Sequence, residues 1–89
     1  MGEETENTII VGKKELIEYQ KYAFYLIKIK NPSEITIKSR YPNIDKAGAL
    51  ADSLRIFGFS WRPKEDTILE PSEQNPRTPI EITITLRRQ

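Results

Sequence analysis

Ile35-Thr36-Ile37-Lys38-Ser39-Arg40-Tyr41-Pro42-Asn43-Ile44-Asp45-Lys46-Ala47 decides how this chain is read. Ile35 and Ile37 alternate with Thr36, Lys38 and Arg40, the period-two pattern of a strand with one covered face. Tyr41-Pro42 ends the strand, because proline brings no N–H to a ladder and drives its predecessor out of the α region. Asn43 is a good N-cap residue type, and Asp45 and Lys46 enter a helix behind it. A strand thus ends in a basic corner where a helix begins. Lys38, Arg40 and Lys46 gather around that turn with helix-terminal amides facing the same way, which suits a phosphate.

Upstream, Thr8–Val11 is a short β-branched run with the pattern of a strand covered on both faces. Gly12 ends it, Lys13-Lys14 occupies the turn, and Glu15 places a carboxylate where a helix N-terminus favours one. The helix runs to about Lys30. Leu16, Tyr19, Ala23, Leu26 and Ile27 recur at spacings of three and four, and Ile17, Phe24 and Ile29 widen that arc, so cover on more than one side is expected. Asn31-Pro32 stops it. Tyr19, Tyr22 and Tyr25 read as packing and rim residues before they read as a base-stacking platform.

Downstream, a second helix is expected from Ile44 to about Ile56, with Ile44, Ala47, Leu50, Ala51 and Leu54 as its core stripe. Gly48, Ala49 and Ala51 are small enough to let a neighbour approach, and Gly58 is placed as the C′ residue. Phe59–Leu69 is mixed. Trp61 and Thr67–Leu69 look strand-like, while Pro63 forces an edge, a bulge or an irregular start. Glu70–Pro79, with three prolines, reads as a hairpin tip, so an arm is expected at about 69–80. Ile80, Ile82, Ile84 and Leu86 then alternate with Glu81, Thr83, Thr85 and Arg87 in a closing strand.

The order is β-α-β-α-β-β. Two crossover helices ask for parallel early strands, and the last two strands form an antiparallel hairpin. The expected fold is α+β: a four-stranded mixed sheet with two helices on one face, in two layers. Parallel strands also carry the loops after them to one end of the sheet, so Lys13, Lys14, Arg40 and Lys46 are expected on one surface.

With 89 residues the chain makes one domain, here assigned to 7–89 with a flexible acidic segment at 1–6. A domain this small buries only roughly 60–65% of its unfolded surface, so oligomerisation is expected to help it. Cysteine and histidine are both missing. Disulfides, thiolate metal sites, the commonest metal ligand and the usual general base go with them, and no cofactor, metal or enzymatic activity is expected. No apolar run reaches the roughly 20 residues of a membrane span. Net charge is +1 but unevenly spread: −3 over residues 1–6, +5 over 7–62, −2 over 63–79 and +1 over the last ten. A basic body with acidic extremities fits a polyanionic partner.

Asn7-Thr8-Ile9-Ile10-Val11-Gly12-Lys13-Lys14, a helix carrying Tyr19, Ile35-Thr36-Ile37-Lys38-Ser39-Arg40 and Ile44-Asp45-Lys46-Ala47 follow one another at intervals that resemble the Alba family of archaeal chromatin proteins. The likeness runs from about Asn7 to Arg88. It implies an Alba-like β-α-β-α-β-β fold and a homodimer, or a heterodimer with a paralogue. It also implies binding of DNA or RNA with little sequence preference, and a cytoplasmic, nucleoid-associated setting. By the same resemblance Lys13 and Lys14 lie on the body of the nucleic-acid surface, and Arg40 and Lys46 match basic positions of the family; Lys38 and Asn43, read at the same corner, complete the expected binding set. The hairpin corresponds to the family's arm, with Arg77 as its contact.

The chain also departs from that pattern. Tyr41-Pro42 stands where the family commonly has Gly-Arg, which removes a charge. Glu15 and Glu18 bring carboxylates near the lysine pair, and the arm carries Glu70 and Glu73. Two other functions are compatible with these departures: a protein-interaction subunit that keeps the dimer fold with weak or no nucleic-acid binding, and an RNA-binding subunit of a ribonuclease P-like complex.

Overall fold

The computed structural model describes residues 7–89, and the segment 1–6 lies outside the described residues. The elements are β1 (Thr8–Val11), α1 (Leu16–Lys30), β2 (Glu34–Arg40), α2 (Ile44–Ser53), a 3-10 turn (Leu54–Phe57), β3 (Phe59–Ser60), β4 (Thr67–Pro71) and β5 (Pro79–Arg88). β1 is parallel to β2, with Val11 opposite Ser39, and β2 is antiparallel to β5. β3 and β4 both pair with β5 along the edge that β2 leaves free. The expected fourth lane is therefore present but broken in two, which makes the mixed sheet five-stranded.

The break has a local cause. Pro63 cannot donate to a ladder, and the chain turns there instead: the N–H groups of Glu65 and Asp66 return to the Arg62 carbonyl at 3.1 and 2.8 Å. The Asp66 carboxylate accepts the Arg62 backbone N–H and the Arg87 guanidinium, each at 2.8 Å. Thr85 N–H donates to the Asp66 carbonyl at 2.9 Å, which ties the turn back to β5.

One face of the sheet carries the core. Ile9, Val11, Ile35, Ile37, Ile82, Ile84 and Leu86 are buried beneath Ala23 and Leu26 of α1 and Ala47, Leu50, Ala51 and Leu54 of the second helix and its 3-10 turn. Both helices lie on this face, as the two-layer reading requires. Among the described residues nothing covers the other face, so β1 is one-sided there and Ile10 is 73% exposed. For the same reason Ile17, Phe24 and Ile29 of α1 face outward. Two helices cover one face of a sheet this size, and no further element among the described residues lies over them.

Helix ends follow local chemistry more closely than predicted boundaries. Asn31 stops α1 in the left-handed conformation, φ 49°, and its N–H bonds to the Ile27 carbonyl. Gly58 does the same after the 3-10 turn, at φ 89°. The second α-helix gives way to 3-10 geometry at Leu54, earlier than expected. Asn43 occupies the N-cap position, but its side chain makes no capping bond; its N–H donates to the Arg40 carbonyl at 2.8 Å. Phe59 is buried in the core, and Phe57 and Trp61 pack against it. Ile80 keeps the inward parity of β5 yet is exposed, because the helix layer ends before the hairpin.

Candidate functional site

Parallel pairing of β1 and β2 sends the Gly12–Lys14 loop and the Arg40–Asn43 corner out at the same end of the sheet. The strand ends are pinned together underneath. Ser39 Oγ donates to the Val11 carbonyl at 2.9 Å, and Ser39 is a buried polar residue of the inner face. The alternation Ile35, Ile37, Ser39 could have revealed it, since a hydroxyl at an inward position has to bond to something.

Tyr19 and Lys46 fix the loop itself. The Tyr19 hydroxyl oxygen accepts the Gly12 N–H at 2.8 Å and the Lys14 N–H at 3.2 Å. Lys46 Nζ donates to the Gly12 carbonyl at 2.9 Å and the Lys14 carbonyl at 2.6 Å. The ammonium also sits 5.9 Å from the centroid of the Tyr19 ring. Tyr19 and Lys46 thus satisfy the loop from below. The Gly12 and Lys14 amides are thereby used by Tyr19, and the Asn43 amide by the Arg40 carbonyl. The full charges that would attract an anion at this corner are carried by side chains.

Those charges gather in one groove. Lys13, Lys38, Arg40 and Asn43 line it together with Ile10, Tyr41 and Glu81. Lys38 stands opposite Ile10 on β1 and Thr83 on β5, which fixes it on the uncovered face. Glu81 stands opposite Arg40 and offsets one of the three cations, leaving two in excess. Lys14 turns into an adjoining hollow with Glu18, Tyr19 and Tyr22, where Glu18 works against it. Glu18 is also 3.9 Å from Lys21.

Of the residues singled out in the sequence, four share the groove, Lys14 borders it and Lys46 lies behind it as a clamp. Arg77 is elsewhere, in the turn between β4 and β5, where its N–H donates to Asn75 Oδ1 at 3.2 Å. The base of that hairpin is acidic. Glu70 pairs opposite Glu81, and both share a hollow with Glu73 and Arg40.

The chain is similar to Alba from Thermoplasma volcanium, at 29% identity and a TM-score of 0.72 over 92% of this chain and the whole of that one. It shares its fold with ALBA1 from Trypanosoma brucei, at 15% identity and a TM-score of 0.65 over 93% of this chain and 70% of that one. No protein-family model matches, and no curated protein does.

Proposed function

The chain is a divergent member of the Alba family, and from that premise we propose that it binds DNA or RNA through the phosphate backbone, without sequence preference, as a dimer. Members of the family bind nucleic acids. The observation that carries the reading for this chain is the groove of Lys13, Lys38, Arg40 and Asn43 on the uncovered face. Cations on a held loop and a strand end attract phosphate whatever the base sequence, because every nucleotide presents the same charge. Asn43 adds an amide that can bond to phosphate or sugar.

The dimer proposal rests on apolar surface that the chain leaves open. Ile56 is 81% exposed on the 3-10 turn, beside Phe57, whose ring lies 4.9 Å from that of Phe24 on α1. The partner is a second copy or a paralogue. Sedimentation at micromolar concentration tests this: a dimer supports it and a stable monomer refutes it.

One observation favours a second reading. Glu70, Glu73 and Glu81 around the base of the hairpin repel a duplex that would run along it. A subunit specialised for protein contact would keep this fold with weak or no phosphate binding. Titrating duplex DNA, duplex RNA and unrelated sequences of each at two salt concentrations separates the two. Salt-sensitive, sequence-blind binding supports the first reading; flat, negligible binding supports the second.

A further inference from the structure

We propose that Tyr41 is a stacking platform for an unpaired nucleobase, which makes single-stranded nucleic acid the preferred ligand of the basic groove. The inference rests on the nucleic-acid reading above and narrows it.

Tyr41 is 65% exposed at the end of β2, on a backbone that is held firmly. Its N–H donates to the Ile80 carbonyl at 2.9 Å, and the preceding Arg40 carbonyl accepts the Asn43 N–H at 2.8 Å. A large ring displayed on a fixed corner keeps its face available at little entropic cost. The same side chain lines two hollows. On one side it borders the groove with Lys13, Lys38 and Arg40. On the other it borders a hollow of the hairpin base with Gln74 and Asn75. Tyr41 therefore stands between cations that take phosphates and amide side chains able to meet the edge of a base.

That combination matches what a single strand offers. An aromatic face accepts any base, because each has a π-surface, and nearby cations follow the backbone. Bases inside a duplex are stacked on each other, and their faces are closed to an external ring. The charge pattern points the same way. Any strand in the groove meets Glu81, and a stiff duplex that also ran along the hairpin would meet Glu70 and Glu73 as well. A flexible strand can turn at Tyr41 and avoid those two.

The test compares the full chain with Tyr41→Ala and Tyr41→Phe at low salt, by fluorescence anisotropy. The probes are a uridine oligomer, a thymidine oligomer, a duplex and an abasic strand of equal charge. Thermal midpoints of the three proteins establish that each is folded. The parent should prefer the oligomers carrying bases over the abasic strand. Tyr41→Ala should lower the ratio of single-strand to duplex affinity by about 5-fold or more, while Tyr41→Phe, which keeps the ring, should hold the parental ratio. Loss on both oligomers assigns the platform to single strands in general; loss on the uridine oligomer alone assigns it to RNA. An unchanged ratio in Tyr41→Ala, or an equal loss in Tyr41→Phe, removes the platform and leaves the backbone-binding reading intact. A parent that binds none of the probes removes both.

Discussion

Lys46 Nζ reaches the carbonyl of Gly12, 34 positions earlier in the chain, at 2.9 Å. The bond joins the start of α2 to the end of β1 and sets the shape of the loop that carries Lys13 and Lys14. A lysine expected to meet phosphate is thereby half structural. Its charge still contributes to the field around the groove, while two of its three N–H donors are committed to the Gly12 and Lys14 carbonyls.

The clamp is open to a direct check. Tyr19→Phe removes the oxygen that accepts two loop N–H groups and leaves the ring in place. Stability should fall by about 1 kcal/mol in denaturant unfolding, the usual net worth of such bonds. Amide exchange at Gly12 should accelerate, and nucleic-acid affinity should drop although no charge has changed. Parental exchange at Gly12 in the variant would show that the hydroxyl does not hold the loop.

The two glycines of the second helical segment should respond with opposite signs. Gly58 has φ 89°, and a side chain there meets open space, so Gly58→Ala pays only for its backbone conformation. That cost is about 1–2 kcal/mol. Gly48 lies within α2 and also has nothing within 4 Å of an added Cβ, so Gly48→Ala should stabilise by about 0.5–1 kcal/mol. Thermal unfolding of the two variants beside the parent measures both.

Much of this architecture was legible in the sequence because it rests on period and punctuation. Alternation in Ile35–Arg40 and Ile80–Arg88 fixed the faces of β2 and β5, and Asn31 and Gly58 marked the helix ends. Thr8–Val11 misled, since a continuous apolar run cannot say whether a second layer exists to cover Ile10. Pro63 signalled an irregularity, but the division into β3 and β4 depends on the Arg62–Asp66 turn, held by contacts to Arg87 on another strand. The common end of Lys13 and Arg40 followed from parallel strands. The parts played by Tyr19 and Lys46 did not, because a hydroxyl on a core stripe and a lysine in a first helical turn have many uses until the tertiary fold selects one. Tyr41 looked like a lost charge in the sequence; its exposure between two hollows appears only in three dimensions.

Acid should weaken the fold at the Asp66 turn. The backbone N–H of Arg62 holds this carboxyl below its ordinary value of 3.8, helped by the Arg87 and Arg62 side chains and opposed by desolvation. The folded state therefore binds the proton less readily than the unfolded state. The carboxylate's contribution is fully present above the ordinary value and is lost as pH falls below it through the folded value. Asp66→Asn should be less stable than the parent at neutral pH and should lose less stability on acidification. Identical pH profiles for the two proteins between neutrality and pH ~3 would contradict this.

The salt dependence of binding tests the central claim most directly. Lys13, Lys14, Lys38 and Arg40 from each of two protomers offer about eight cations, of which about half would meet phosphates at once; at roughly 0.9 counterions per contact, log K for duplex DNA should fall against log salt with a slope near −3 to −4. Replacing Lys13 and Lys14 by alanine should weaken DNA and RNA binding alike and flatten that slope. Stability should change by no more than about 0.5 kcal/mol, since both lysines are exposed turn residues. A double variant that binds with the parental affinity and slope, or a parent whose binding ignores salt, would contradict a backbone-binding groove.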